Sequence, residues 1–162
     1  MAPGRLQRMS RLTTGDAAPP FELAADDGEL VSSAELAGSR YVLYFYPKDD
    51  TPGCTAQACG LRDSWSRVAE TGVGVFGVSP DSVKSHAKFR SKHDLPFRLL
   101  ADEGSALAEA YGVWIQKKFM GREYMGNERT TFVIGADGRI EAVLPQVKPS
   151  EHGDQLLEAL AA

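Results

Sequence analysis

The chain of 162 residues holds two cysteines, and both fall in one short stretch, Pro47-Lys48-Asp49-Asp50-Thr51-Pro52-Gly53-Cys54-Thr55-Ala56-Gln57-Ala58-Cys59. An apolar run ends at Pro47, and a loop rich in Pro and Gly follows it. That pattern predicts a strand, a turn, and a helix that starts near Cys54. The first N–H groups of a helix lack intrahelical acceptors, and the helix dipole is positive at that end. Both favour a negative charge on Cys54, and the thiolate is the nucleophilic form of cysteine. Thr51, three residues earlier, brings a hydroxyl close to the sulfur. The alternative reading is an inert Cys54 acting as a small buried hydrophobe.

Cys59 bears on that choice. Five residues along a helix amount to a rise of ~7.5 Å and a rotation of ~140°, so the two Cα atoms would stand roughly 8–9 Å apart. Disulfides need less than ~7 Å, so an intact helix keeps the sulfurs apart. Gly60 follows directly, and glycine inside a helix costs ~1 kcal/mol relative to alanine. The pair reads as a switch, separate while the helix is wound and bonded once it unwinds. Two unrelated thiols are the competing reading.

Other stretches match chemical motifs by letter only. Gly72-Val73-Gly74-Val75-Phe76-Gly77 fits G-x-G-x-x-G. A dinucleotide site needs those glycines in the turn after a strand, with helix amides facing a pyrophosphate. Here they lie inside a β-run and the next helix opens only near Pro80. The expectation is a glycine-rich strand under a close neighbour. Ser85-His86-Ala87-Lys88 fits S-x-x-K, but its companion motifs are absent and it falls within a helix. His86 and His93 lie seven apart on one helix, separated by ~10.5 Å of rise. One ion with bonds of ~2 Å cannot reach both. His152 stands isolated in the last helix, so neither a metal nor a cofactor is expected.

The elements that must position the cysteines punctuate cleanly. Phe21–Leu23 and Glu29–Val31 flank Asp26-Asp27-Gly28 and predict a small N-terminal hairpin. Tyr41–Tyr46 predicts a buried strand. Cys54, Ala58, Leu61, Trp65 and Val68 share one helical face, so a single helix is expected over Cys54–Glu70. Val73–Val78 predicts a second buried strand, followed by a helix from Pro80 to about His93, a strand at Phe97–Leu100 and a short helix at Ser105–Tyr111. Arg129–Ile134 and Arg139–Val143 form a hairpin, and Ser150–Leu160 an amphipathic closing helix. Alternating strands and helices with a late antiparallel hairpin give an α/β fold with a mixed central β-sheet, flanked by helices on both faces.

Hydrophobic residues make up 43% and charged residues 25%, a balance able to build a core in one domain. A net charge of −4 argues against a nucleic-acid partner. No apolar run approaches the ~18 residues of a membrane helix. Residues 1–12 carry Arg5, Arg8 and Arg11 without an apolar segment after them. They read as a flexible tail ahead of a domain over 13–162, although a short transit peptide or a start at Met9 would also fit. The expected compartment is the cytoplasm, where thiols stay reduced.

With these residues in view, the chain resembles the peroxiredoxins. Pro47-x-x-x-Thr51-x-x-Cys54 is similar to their active-site signature. The wider stretch Phe45-Tyr46-Pro47-Lys48 through Thr55, with Ala58-Cys59, resembles the PrxQ, or bacterioferritin comigratory protein, subfamily. The likeness runs from about Leu12 to the C-terminus and includes Gly112-Val113-Trp114 and Arg129-Thr130-Thr131-Phe132. It implies a thioredoxin-like fold and a cofactor-free thiol peroxidase that is re-reduced by thioredoxin or a similar dithiol, with a lean toward a monomer. Cys54 then corresponds to the peroxidatic cysteine, Cys59 to a resolving cysteine in the same helix, Thr51 to the peroxide-binding hydroxyl and Pro47 to a ring shielding the site. Arg129 corresponds to the arginine that holds thiolate and peroxide together. Gln57 stands where the wider family often has glutamate, which leaves its part in orienting Arg129 open.

The resemblance implies reduction of hydroperoxide through a Cys54 sulfenic acid and a Cys54–Cys59 disulfide. Two rivals use the same cysteines. A thiol–disulfide oxidoreductase is disfavoured by the C-x-x-x-x-C spacing. A non-catalytic redox sensor needs the same thiolate and differs only in turnover.

Overall fold

The computed structural model describes residues 12–161, so the expected tail falls almost wholly outside the described residues. At the centre lies strand β3 (Tyr41–Phe45), every residue of which is buried. That is the signature of a strand covered on both faces. It pairs in parallel with β4 (Gly74–Ser79), which pairs in parallel with β5 (Arg98–Ala101). On its other edge β3 pairs antiparallel with β8 (Thr130–Ile134), followed by β9 (Ile140–Leu144). The result is a five-stranded mixed sheet in the order β5-β4-β3-β8-β9.

Alternate residues of β3, continued by Tyr46 just after it, feed two cores. Val42, Tyr44 and Tyr46 pack with Ala58 and Leu61 of helix α2 (Pro52–Asp63), Phe89 of α4 (Val83–His93) and Leu156 of α6 (His152–Ala161). Tyr41, Leu43 and Phe45 pack with Leu107 and Ala108 of α5 (Ala106–Ala110) and with Val31 of the N-terminal hairpin, β1 (Glu22–Ala24) and β2 (Leu30–Ser32). Helices therefore flank both faces, as the sequence pattern predicts.

Three expectations change. The helix expected over Cys54–Glu70 is two helices, because the chain bends at Ser64 and α3 (Trp65–Glu70) begins anew. Leu61 and Val68 both still face the core, so the apolar stripe runs across the bend and conceals it. A one-turn helix α1 (Ser33–Leu36) follows β2, where no element was expected. Strands β6 (Trp114–Phe119) and β7 (Arg122–Asn127) form a further hairpin, turning at Met120 and Gly121 with positive φ at both. Its faces are mostly exposed and mix apolar with charged residues, so no period of two marks it.

Within the G-x-G-x-x-G run, Gly77 is the glycine that close packing requires. A Cβ at Gly77 would lie 2.8 Å from Leu99 Cδ2 and 2.9 Å from Tyr44 Cζ. Gly77→Ala should cost about 1–3 kcal/mol through overpacking. Urea denaturation checks this, and a loss under ~0.5 kcal/mol, the range of neutral surface changes, would count against it.

Candidate active site

Helix α2 begins with Thr51 as N-cap and Pro52 in its first turn. Proline suits that place because its missing N–H would have had no acceptor. The first intrahelical bond runs from the Thr55 N–H to the Thr51 carbonyl at 2.8 Å. The amides of Gly53 and Cys54 precede it and lack an acceptor within the helix. Cys54 is buried at this positive end, and Cys59 is half-buried further along the same unbroken helix. Both thiols are free.

The structure brings Arg129 to that point from 75 residues away. Its Nη1 donates to Cys54 Sγ at 3.4 Å and to Gln57 Oε1 at 2.7 Å. The pairing Phe45↔Thr130 sets Arg129 just beyond the end of β3, whose chain leads into the Pro47–Cys54 loop. Arg129 itself precedes the strand expected to contain it, and its carbonyl accepts from the Val147 N–H at 2.8 Å. Gly53 eases the approach, since a Cβ there would stand 3.1 Å from Arg129 Nη2 and push the guanidinium back by a few tenths of an ångström. Thr51 Oγ1 donates to the Lys48 carbonyl at 2.9 Å, which leaves its lone pairs available. Pro47 is half-buried between β3 and this loop.

A second buried cluster pins the loop. Asp49 accepts from Tyr46 Oη and from Ser85 Oγ, sits 2.8 Å from His86 Nδ1, and donates its N–H to Asp81 Oδ2. Donor atoms of Asp49, Asp81 and His86 lie within 4.8 Å of one another, a grouping across separate elements that sequence spacing does not reveal. These hydrogen bonds already engage them and account for their burial.

Two further residues escaped the sequence reading. Lys117 on β6 is half-buried, within electrostatic range of the site. Burial first and the Arg129 charge second lower its pKa, while the nearby Cys54 sulfur opposes the shift. His152, expected to be isolated, is fully buried, with Nδ1 3.0 Å from Gln57 Nε2 and Nε2 2.8 Å from Thr131 Oγ1. Its only sequence signal was a histidine opening an amphipathic helix.

Burial first, and the Arg129 charge second, push the His152 pKa from 6.5 down to about 3. The unfolded chain therefore binds a proton near pH 6.5 that the folded chain refuses until about pH 3. Stability supplied by neutral His152 is complete above pH 6.5 and falls as pH drops, by ~1.4 kcal/mol per unit at most. His152→Asn should flatten that acid limb in urea titrations between pH 6.5 and 4. An unchanged slope would contradict the assignment.

Comparison with known proteins identifies the family. Residues 14–143 match the model of the AhpC/TSA family. The chain is 49% identical over 146 residues to peroxiredoxin Bcp of Bacillus subtilis, covering 90% of this chain and 93% of that one. It is 46% identical over 152 residues to peroxiredoxin Bcp of Escherichia coli, covering 94% and 97%. Among solved structures, a cysteine-to-serine mutant of Xylella fastidiosa PrxQ superposes with a TM-score of 0.87 at 31% identity, covering 93% and 96%. The bacterioferritin comigratory protein of Xanthomonas campestris, whose trapped intermediate and ligand complexes concern alkyl peroxide reduction, superposes with a TM-score of 0.81 at 35% identity, covering 87% and 90%. With that family match, these identities and a thioredoxin-like fold built around Cys54, the chain belongs to the AhpC/TSA family as a peroxiredoxin of the PrxQ/Bcp type.

Proposed function

We propose that this peroxiredoxin reduces hydrogen peroxide and organic hydroperoxides through Cys54, with Cys59 as the resolving cysteine. The observation that carries the reading is the Arg129 guanidinium donating to a buried cysteine sulfur at a helix start. The Cys54 thiolate attacks the terminal peroxide oxygen, an S–O bond forms and the O–O bond breaks. The leaving oxygen takes a proton and departs as water or an alcohol. Arg129 and the Gly53 and Cys54 amides offset the charge that develops on that oxygen. Thr51, its own proton committed to the Lys48 carbonyl, accepts from the peroxide O–H and aligns it. The half-buried Pro47 limits water at the mouth of the site.

The Cys59 thiol then attacks the Cys54 sulfenic acid, forming the disulfide and releasing water. Because α2 holds the two apart, this step requires the segment around residues 54–59 to unwind. A dithiol reductant of the thioredoxin class exchanges with the disulfide and restores both thiols. Both cysteines of the cycle stand on one chain, which supports a monomer as the working unit.

With peroxide and thioredoxin supplied, the protein should consume many equivalents of peroxide, whereas a sensor would consume about one. Cys54→Ser should abolish consumption, and Cys59→Ser should stop after a single equivalent. Substantial turnover in Cys54→Ser would refute the assignment. Arg129→Ala should slow the peroxide step, and Arg129→Lys should restore it only in part because the planar fork is lost. An unchanged peroxide rate in Arg129→Ala would rule out its part.

The unwinding step has its own check. A Cβ at Gly60 would meet nothing closer than the Pro149 carbonyl oxygen at 4.0 Å, so alanine fits. Gly60→Ala should leave sulfenic acid formation nearly unchanged and slow disulfide formation roughly fivefold, the ~1 kcal/mol helix preference acting on the opening. Stopped-flow fluorescence of Trp65 on the adjoining α3, with mass spectrometry of Cys54, reads both steps. Disulfide formation as fast as in the parent would show that this opening does not limit resolution.

A further inference from the structure

A hydrogen-bonded chain with only one possible direction runs inward from the site. The Arg129 guanidinium only donates, so the Gln57 atom 2.7 Å from it must be the amide oxygen. The Gln57 NH2 then faces His152 Nδ1 at 3.0 Å, which must accept and so carries no proton. The imidazole proton is therefore on Nε2, which donates to Thr131 Oγ1 at 2.8 Å. Gln57, His152 and Thr131 are all fully buried, so bulk water cannot replace a lost partner. The parts come from separate elements: Gln57 from α2, His152 from the start of α6 and Thr131 from β8.

We propose that His152 is a positioning residue for the peroxide step, fixing the amide of Gln57 so that its oxygen faces Arg129 and holds the guanidinium against the Cys54 sulfur. The proposal rests on the reading of Cys54 as the nucleophile. An amide can rotate end for end, and its reversed form would set NH2 against a guanidinium, donor against donor. An acceptor at His152 Nδ1 selects the productive orientation. The low proton affinity of His152, at a pKa of about 3, keeps that acceptor available across the pH range of a folded protein. Gln57 also lies between Cys54 and Cys59. Unwinding of that segment would separate Arg129 from both of its α2 partners at once, and rewinding would restore them through the same His152 contact.

The test compares three substitutions in a Cys59→Ser background, where Cys54 alone reports. His152→Asn places an amide oxygen where Nδ1 stands. His152→Gln reaches toward Thr131 but abandons the Nδ1 position, and His152→Leu keeps bulk without either bond. The readouts are the pH profile of Cys54 alkylation by iodoacetamide and the single-turnover rate with hydrogen peroxide. His152→Leu and His152→Gln should slow the peroxide step about threefold to tenfold, the worth of one hydrogen bond. Their alkylation profiles should move to higher pH. His152→Asn should stay within about twofold on the first readout and keep the parent profile on the second. Equal losses in all three variants would mean packing alone, and no loss in His152→Leu would remove the role; either result overturns the proposal.

Nitrogen NMR of the Cys59→Ser protein supplies a reading that does not depend on variants folding. His152 should show a protonated Nε2 and an unprotonated Nδ1, and a proton on Nδ1 would overturn the proposal. If Cys54 fails to react with peroxide at all, the peroxidase reading fails instead. The alkylation profile and the imidazole tautomer still test the positioning chain in that case.

Discussion

One contact organises this site: the guanidinium of Arg129 spans Cys54 and Gln57 on one face of α2, after crossing 75 residues of sequence. A charge-assisted hydrogen bond to sulfur at a helix start adds to a field already positive there. The contact constrains much around it. The β3–β8 register places Arg129 beyond the end of the central strand, and Gly53 leaves room for it over the helix. Gln57 must be buried and must present its oxygen. Moving any of these parts would break a part-buried hydrogen bond to the charged guanidinium, at about 1.5–3 kcal/mol.

In the proposed cycle the same helix has to serve two opposed demands. Peroxide attack calls for a wound α2, which aims its free amides and keeps Cys54, Gln57 and Arg129 in place. Disulfide formation calls for that helix to open. The construction of α2 is compatible with both. Proline closes its first turn, glycine at 60 weakens its middle, and the bend at Ser64 ends it before α3 begins. Opening can thus stay between Pro52 and Asp63 without disturbing Trp65 and Val68, which hold α3 against the core. The junction at the start of α6 closes over this segment. A Cβ at Gly153 would lie 2.8 Å from Ser64 Oγ and 3.4 Å from the Gly60 carbonyl, so the two helices approach as closely as glycine permits.

Much of the polar burial lies near Cys54. The Tyr46–Asp49–His86–Ser85 group fixes the loop that carries Thr51, and the Gln57–His152–Thr131 chain fixes the far side of Arg129. Between them they immobilise the two approaches to Cys54, one from the loop and one from the sheet. The glycine-rich β4 strand serves the same end less directly, letting Tyr44 and Leu99 pack close beneath it.

What the sequence alone determined is local. A cysteine after Pro-Gly at a helix start, a second cysteine five residues on, the continuous apolar run of β3 and the amphipathic faces of α2 and α6 all depend on neighbours a few positions away. Periodicity and terminal chemistry report such features directly. The bend at Ser64 escaped because the apolar stripe crosses it, and β6–β7 escaped because a mostly exposed hairpin has no apolar alternation to show. Arg129 could be named only through family resemblance, since no spacing links it to Cys54. Tertiary structure decided the rest: the β3–β8 register that delivers the guanidinium, the direction of the Gln57 amide, and the conversion of His152 from a lone residue into a buried neutral acceptor. Those outcomes depend on which groups long-range pairing brings within ~3 Å, and no short window of sequence contains both members of any such pair.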